Sequence, residues 1–261
     1  MVHSQTYRIL HLSDIHFGQV NSHVIDLIPK DIDLLILTGD LTQRAKPSQF
    51  NAALAFFERF NCPIFLIPGN HDVPLYNFFL RIFNPYRRYK KFMKDYLSDF
   101  YENETVAVFG LWTLNPLTVQ SGKLYSKQLD RMREKMSEIP FTKVRIITAH
   151  HPLLHIDSSP GAPQLQKILN INPDLMMWGH EHQSSAEYLD PEQEKGPILL
   201  AAGTGFSSRT RTESNSYNLI TLDVNHIGVE IWNFSEDEMR FELGSFENFK
   251  RSQTSASETE A

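Results

Sequence analysis

Five short segments of this chain carry Asp, Asn and His, and most of them follow an apolar, strand-like run. Asp14-Ile15-His16 follows RILHLS, Gly39-Asp40 follows DLLILT, and Gly69-Asn70-His71-Asp72 follows PIFLIP. His150 follows VRIITA, and Gly179-His180-Glu181-His182 follows DLMMW. A strand that ends in such residues delivers them to the rim of its sheet. In an open α/β sheet the carboxyl ends of the strands are where sites are built. The segments are therefore expected to converge on one edge of a sheet.

The runs between turn residues predict strands near 7–13, 33–38, 63–67, 105–112, 143–149 and 174–178. Helix-period segments separate several of them, at 47–60, 126–138 and 162–170. This alternation reads as α/β with a largely parallel sheet. After Gly179 the pattern changes. Segments 184–189, 197–202, 217–223 and 227–235 read as strands without helices between them, an antiparallel group completing the core. The expected organisation is one domain over 1–249 and a disordered polar tail over 250–261, ending in SQTSASETEA.

Segment 74–101 stands apart. Its 28 residues hold ten of the chain's 30 aromatics and six Lys/Arg against two Asp, in a chain of net charge −6. Tyr86, Tyr89, Met93, Tyr96 and Phe100 recur at helical spacing, and Pro85 separates that helix from an apolar one at roughly 75–83. The segment reads as a helical insertion. It could be an amphipathic pair packing on the core, a cap over a substrate pocket, or a peripheral contact with an anionic membrane through its basic face.

Composition bounds the function classes. The acidic balance argues against a nucleic-acid partner across the whole surface. A single cysteine, Cys62, excludes an internal disulfide framework and cysteine-rich zinc sites, and fits a reducing compartment. No apolar stretch is long enough to span a bilayer, and the first residues lack a signal-peptide layout. The expected location is the cytoplasm, or the inner face of the membrane if 74–101 touches lipid. The oligomeric state is not legible in the sequence.

Two neighbouring divalent cations make a hydrolytic centre, because they lower the pKa of a bridging water and polarise phosphoryl oxygens. Such a pair needs a carboxylate able to bridge, and Asp40 stands where one is required, after a buried apolar strand. Asp14 and His16, and likewise His180 and His182, are spaced to share a face. Asn70 offers a carbonyl oxygen, and His71 beside it points elsewhere, toward a substrate. Donors of this kind without thiolate suit Mn, Fe or Zn.

The set D-x-H, G-D, G-N-H-D, a later H and G-H-x-H closely resembles the signature of calcineurin-like metallophosphoesterases, over residues 9 to about 220. The resemblance implies a four-layer αββα sandwich and two metal ions. One would be held by Asp14, His16, Asp40 and His182, the other by Asp40, Asn70, His150 and His180. It also implies a catalytic His71, held by Asp72, that protonates the leaving oxygen or braces the transition state. His151 is passed over by the H-x-P spacing, His11 is a core residue or a support behind the ligands, and His3, His23, His155 and His226 have no metal role. Arg44, Arg209 and Arg211 are candidates for clamping a phosphate, and Thr204 lies in a loop between Gly203 and Gly205 that could approach the metals.

More closely, HLSDIHFG, LTGDLTQRA, PGNHDVPLYN and AGTGFSSRTR with a following NSYN resemble the bacterial branch assigned as class III cyclic-nucleotide phosphodiesterases. The leading expectation is an enzyme that hydrolyses a phosphodiester or pyrophosphate bond of a small phosphorylated substrate through a metal-bridging hydroxide. A 3',5'-cyclic nucleotide is the first substrate reading. The alternative is a lipid-linked nucleotide, as for the UDP-2,3-diacylglucosamine pyrophosphatases, which typically carry Arg where this chain has His71. A non-enzymatic scaffold of the same fold is the third reading, and the intact ligand set speaks against it.

Overall fold

The computed structural model describes residues 6–75, 78–118, 121–156, 163–207 and 214–251. Two six-stranded sheets form its centre. In the first, β1 (Tyr7–Leu12), β2 (Leu34–Leu37) and β3 (Ile64–Leu66) run parallel. Antiparallel β10 (Ser216–Leu222), β11 (His226–Ser235) and β12 (Arg240–Lys250) extend that sheet from β1. The second sheet has the order β4 (Phe100–Glu102), β5 (Val106–Leu111), β6 (Val144–Ala149), β7 (Leu175–His182), β9 (Lys195–Gly203) and β8 (Ser185–Asp190). Strands β5, β6, β7 and β9 are parallel, and the two edge strands run against them.

Side-chain alternation explains the stacking. Ile9, Leu34 and Ile36 meet Val106, Val108, Ile146 and Met177 between the sheets. Their neighbours Leu10, Leu35 and Leu37 face outward beneath helix α2 (Pro47–Phe57), through Phe50 and Phe57. On the far side Ala107, Phe109 and Ile147 face Leu129, Met132 and Met136 of α5 (Ser126–Ser137) and Ile168 of α7 (Pro163–Leu169). Burial on both faces is why these strands read as continuous apolar runs rather than alternating ones. The layers are helix, sheet, sheet, helix. Two short helices, α1 (Ser22–Asp26) and α6 (Leu153–Ile156), complete the connections near the site.

Three expectations change. The two sheets agree with the four-layer αββα sandwich that the resemblance implies, and the simpler reading of one largely parallel sheet gives way to it. The late strands do not form one antiparallel group: β8 and β9 join the second sheet while β10 to β12 join the first. Segment 86–100 is not one helix. Helix α3 (Phe78–Phe83) is followed by α4 (Arg87–Phe92) and a single 3-10 turn at Lys94–Tyr96, and Phe100 then opens β4 opposite Phe109. Strand pairing there overrides helical periodicity. Tyr89 and Met93 are fully buried in the helix-side core, and Phe92 stacks on Phe50 at 5.2 Å.

The end of the chain is also anchored later than expected. Lys250 closes β12, and the Arg251 guanidinium is buried. It pairs with Asp174 at 3.1 Å and donates to the carbonyls of Phe141 and Lys143 at 2.9 and 3.0 Å. The remainder of the expected tail lies outside the described residues. Removing one partner of a buried ion pair strands the other. Arg251→Ala should therefore lower unfolding free energy by about 3 kcal/mol. Arg240→Ala, at an exposed pair, should cost under about 1 kcal/mol. Urea denaturation of both variants checks the contrast.

Candidate metal centre

Both sheets, not one edge of one sheet, supply the site. Strands β1, β2 and β3 end toward Asp14 and His16, Asp40, and Asn70 and His71. Strand β6 ends before His150, and the last residues of β7 include His180 and His182. Backbone pairing continues past the strand ends. Asp14 N–H donates to Gly39 O at 3.1 Å, His16 N–H to Asp40 O at 3.0 Å, and Gly179 N–H to His150 O at 3.2 Å.

The local backbone is unusual. Asp14, His16, Asp40, His180 and His182 all have positive φ, between 50° and 70°, and they are five of the nine non-glycine residues in that region among those described. Left-handed backbone costs of order 1–3 kcal/mol per residue and collects at functional sites. Here it accompanies the turn of each side chain toward the donor cluster at the strand ends. The β7–β9 pairing correspondingly breaks between Trp178 and His182. Two glycines allow the close approach of the turns that follow β2 and β3: Gly39 has φ +99°, and a Cβ on Gly69 would lie 2.1 Å from Asp40 Oδ1.

The donor atoms converge in overlapping groups: Asp14, His16 and His182; His16, Asp40 and His71; Asp14, Asp40 and His150; and His150, His151 and His180. All of these residues are buried or half-buried. His150 Nδ1 donates to Thr38 O at 2.8 Å, which leaves a lone pair on Nε2. That lone pair faces Asn70 Oδ1 at 2.9 Å and Asp40 Oδ1 at 3.4 Å, both acceptors. Asn70 Oδ1 also lies 3.2 Å from His180 Nδ1. His182 Nε2 approaches Asp14 Oδ1 at 3.1 Å, and His16 Nε2 lies 3.8 Å from the same oxygen. Asp14 Oδ1 itself has no hydrogen-bond donor among the described residues.

Buried acceptors facing acceptors require a positive charge between them. A divalent cation supplies it, and the O/N donor set suits one. A proton is the other solution. Burial alone would lower His150, yet Asp40 and Asp14 lift it to about 9. Burial would likewise raise both carboxyls, but His182 and His150 beside Asp14, and His150 beside Asp40, hold them below the usual range. Burial and the nearby His150 push His180 down to about 4 and His151 to about 2. Neutral imidazole is the form that ligates metal.

The remaining expected residues divide. His71 reaches the group through its ring, 5.0 Å from that of His16, while its backbone N–H donates to Asp40 Oδ1 at 2.8 Å. Its Nδ1 is held by Gln43 O at 2.8 Å, not by Asp72. Asp72 instead accepts the backbone N–H groups of Gly69, Leu41 and Thr42 and the Thr42 hydroxyl, so it ties the His71 loop to β2. Burial and the nearby Asp40 push its carboxyl up to about 6. Arg44 is exposed on the turn after Gln43, and Arg209 and Arg211 lie outside the described residues. His11 is buried between Thr38 Oγ1 at 2.9 Å and Asn218 Nδ2 at 3.2 Å, behind the site. The Thr204 loop reaches the rim, with Gly205 N–H on Ser13 O. Thr38 and Gln43 were not legible in the sequence as site residues, because each acts through its carbonyl.

Residues 7–184 match the family model described as calcineurin-like phosphoesterase. A probable cyclic nucleotide phosphodiesterase from Vesicomyosocius okutanii subsp. Calyptogena okutanii (strain HA) is 24% identical over 238 residues, which are 82% of this chain and 94% of that protein. The 3',5'-cyclic adenosine monophosphate phosphodiesterase CpdA of Haemophilus influenzae is 27% identical over 165 residues, 59% of this chain and 56% of its own length. Purple acid phosphatase PPD1 from yellow lupin (Lupinus luteus) seeds has a similar fold, with a TM-score of 0.63 at 16% identity over 95% of this chain and 54% of that one.

Asp40 is common to the group containing His16 and the group containing His150. Elemental analysis of Asp40→Ala should find fewer than two metal ions per chain, while His71→Ala should bind metal like the wild type. Two ions retained by the Asp40 variant would remove this carboxylate from the centre.

Proposed function

Because the chain belongs to the calcineurin-like phosphoesterase family, we propose that it is a dinuclear metal-dependent phosphodiesterase acting on 3',5'-cyclic nucleotides. Phosphoric ester hydrolysis is the activity of that family and of the phosphodiesterases it resembles. The observation that carries the dinuclear reading is the shared position of Asp40. On one side stand Asp14, His16 and His182, and on the other Asn70, His150 and His180. Two divalent ions held there would supply a water of lowered pKa and would offset charge on the phosphoryl oxygens.

The chain's own groups do the rest. Thr38 O fixes the His150 tautomer so that Nε2 is the ligating atom. Gln43 O holds His71 Nδ1–H, so its Nε2 is the atom that carries and delivers a proton to the leaving oxygen. Asp72 keeps the loop bearing His71 fixed against β2. Arg44, one residue beyond Gln43, is the rim cation we assign to the phosphate.

The named relatives support a cyclic nucleotide as substrate. One observation favours the lipid-linked nucleotide as a second reading: Phe79 and Phe83 of α3 are 73% and 79% exposed on the insertion that follows Asp72. A manganese-supplemented screen against cyclic nucleotides, bis-p-nitrophenyl phosphate and UDP-diacylglucosamine separates the two. We expect turnover of the cyclic nucleotide and the diester, and turnover of the lipid-linked substrate alone would reverse the order.

His71→Ala should keep its metal yet lose roughly 10²–10⁴ in kcat, the range for a missing general acid. The loss should shrink for substrates whose leaving group needs little protonation. Equal losses for good and poor leaving groups would count against proton donation.

A further inference from the structure

A cavity of about 720 Å³ opens between the insertion and the end of β5. None of its lining residues belongs to the metal groups. Its volume falls in the range of small-molecule sites, roughly 300–1,000 Å³.

Aromatic rings build the wall. Tyr86 and Trp112 pack with centroids 4.8 Å apart, and Tyr125 closes another side with its hydroxyl donating to Leu114 O at 2.8 Å. Trp112 is fixed through its backbone. Gln128 accepts its N–H at 2.9 Å and donates to its carbonyl at 3.2 Å. The indole Nε1–H is nevertheless buried and finds no acceptor among the described residues. With no surface open to solvent, that donor is out of reach of a molecule in the cavity, and the indole contributes only ring surface to the wall.

The charge at the cavity is also lopsided. Asp99 and Arg131 neutralise each other through a two-pronged pair at 2.6 and 2.9 Å. Lys90 is left as the net charge, with its ammonium 5.7 Å from the centre of the Trp112 ring.

We propose that this cavity is a second binding site, independent of the metals, for a planar aromatic molecule that carries one negative charge. The ring lies against Tyr86 and Trp112, and the charge meets Lys90. The site does not depend on the substrate reading above.

Two probes of nearly one shape test it on the metal-loaded protein: the anion 1-anilinonaphthalene-8-sulfonate and the uncharged N-phenyl-1-naphthylamine. Both should bind with energy transfer from tryptophan. Trp112→Phe should remove most of that transfer and weaken both probes. Lys90→Gln, an exposed change, should weaken the anion roughly three- to fivefold, as expected for an exposed charge contact, and leave the neutral probe unchanged. Its metal content and bis-p-nitrophenyl phosphate turnover should stay at wild-type levels. Equal anion affinity in wild type and Lys90→Gln would overturn the proposal. So would loss of the signal in a Phe79→Ser, Phe83→Ser double variant with Trp112→Phe unaffected, which would place the probe on the exposed face of α3.

Discussion

Asp40 has one oxygen that accepts the His71 N–H at 2.8 Å and lies 3.4 Å from the His150 lone pair. Around it, Asn70, Asp14 and the imidazoles turn further acceptor atoms toward the same volume. Such a cluster is repulsive by itself, since buried anions and lone pairs that face one another have too few donors between them. Its cohesion depends on cations supplied from outside the chain or on protonation of His150. The arrangement is therefore a charge deficit built into the fold, and the surrounding structure is organised to hold it in place.

Holding it requires rigidity on both sides. The burial of β1, β2, β5 and β6 on two faces anchors each strand, and with it the residues that follow its end. The left-handed residues then swing their side chains inward, and this strain persists because strand pairing continues beyond them at Asp14, His16 and Gly179. Asp72 adds a local lock by gathering donors from Gly69, Leu41 and Thr42. A donor set assembled from two sheets in this way loses its geometry if either sheet shifts.

The insertion has two distinct faces. Tyr89 and Met93 extend the helix-side core and attach the segment to α2, and Arg88 reaches Ala45 O at 3.2 Å. Tyr86 and Lys90 instead border a cavity that none of the described residues fills. One short helix thus serves both packing and, on our proposal, recognition.

The sequence alone marked Asp, Asn and His side chains that the fold brings together, because residues placed directly after buried apolar runs emerge at strand ends, but it passed over His151, which lies in one of the same groups. It also determined the position of ten strands, because burial leaves a continuous apolar trace. The two sheets followed from the family resemblance, but the apolar runs could not show which strand joins which sheet, since alternation reports burial and not the partner. Nor did they reveal β4 or β12. The first is three residues long, and the second is mostly exposed and has little apolar pattern. Asp72 was expected to hold His71, yet only the folded chain brings the Gln43 carbonyl to that ring, and a carbonyl leaves no mark in a sequence. The unsatisfied Trp112 donor belongs to the same class: an indole is visible in the sequence, but whether its N–H meets a partner is decided by packing.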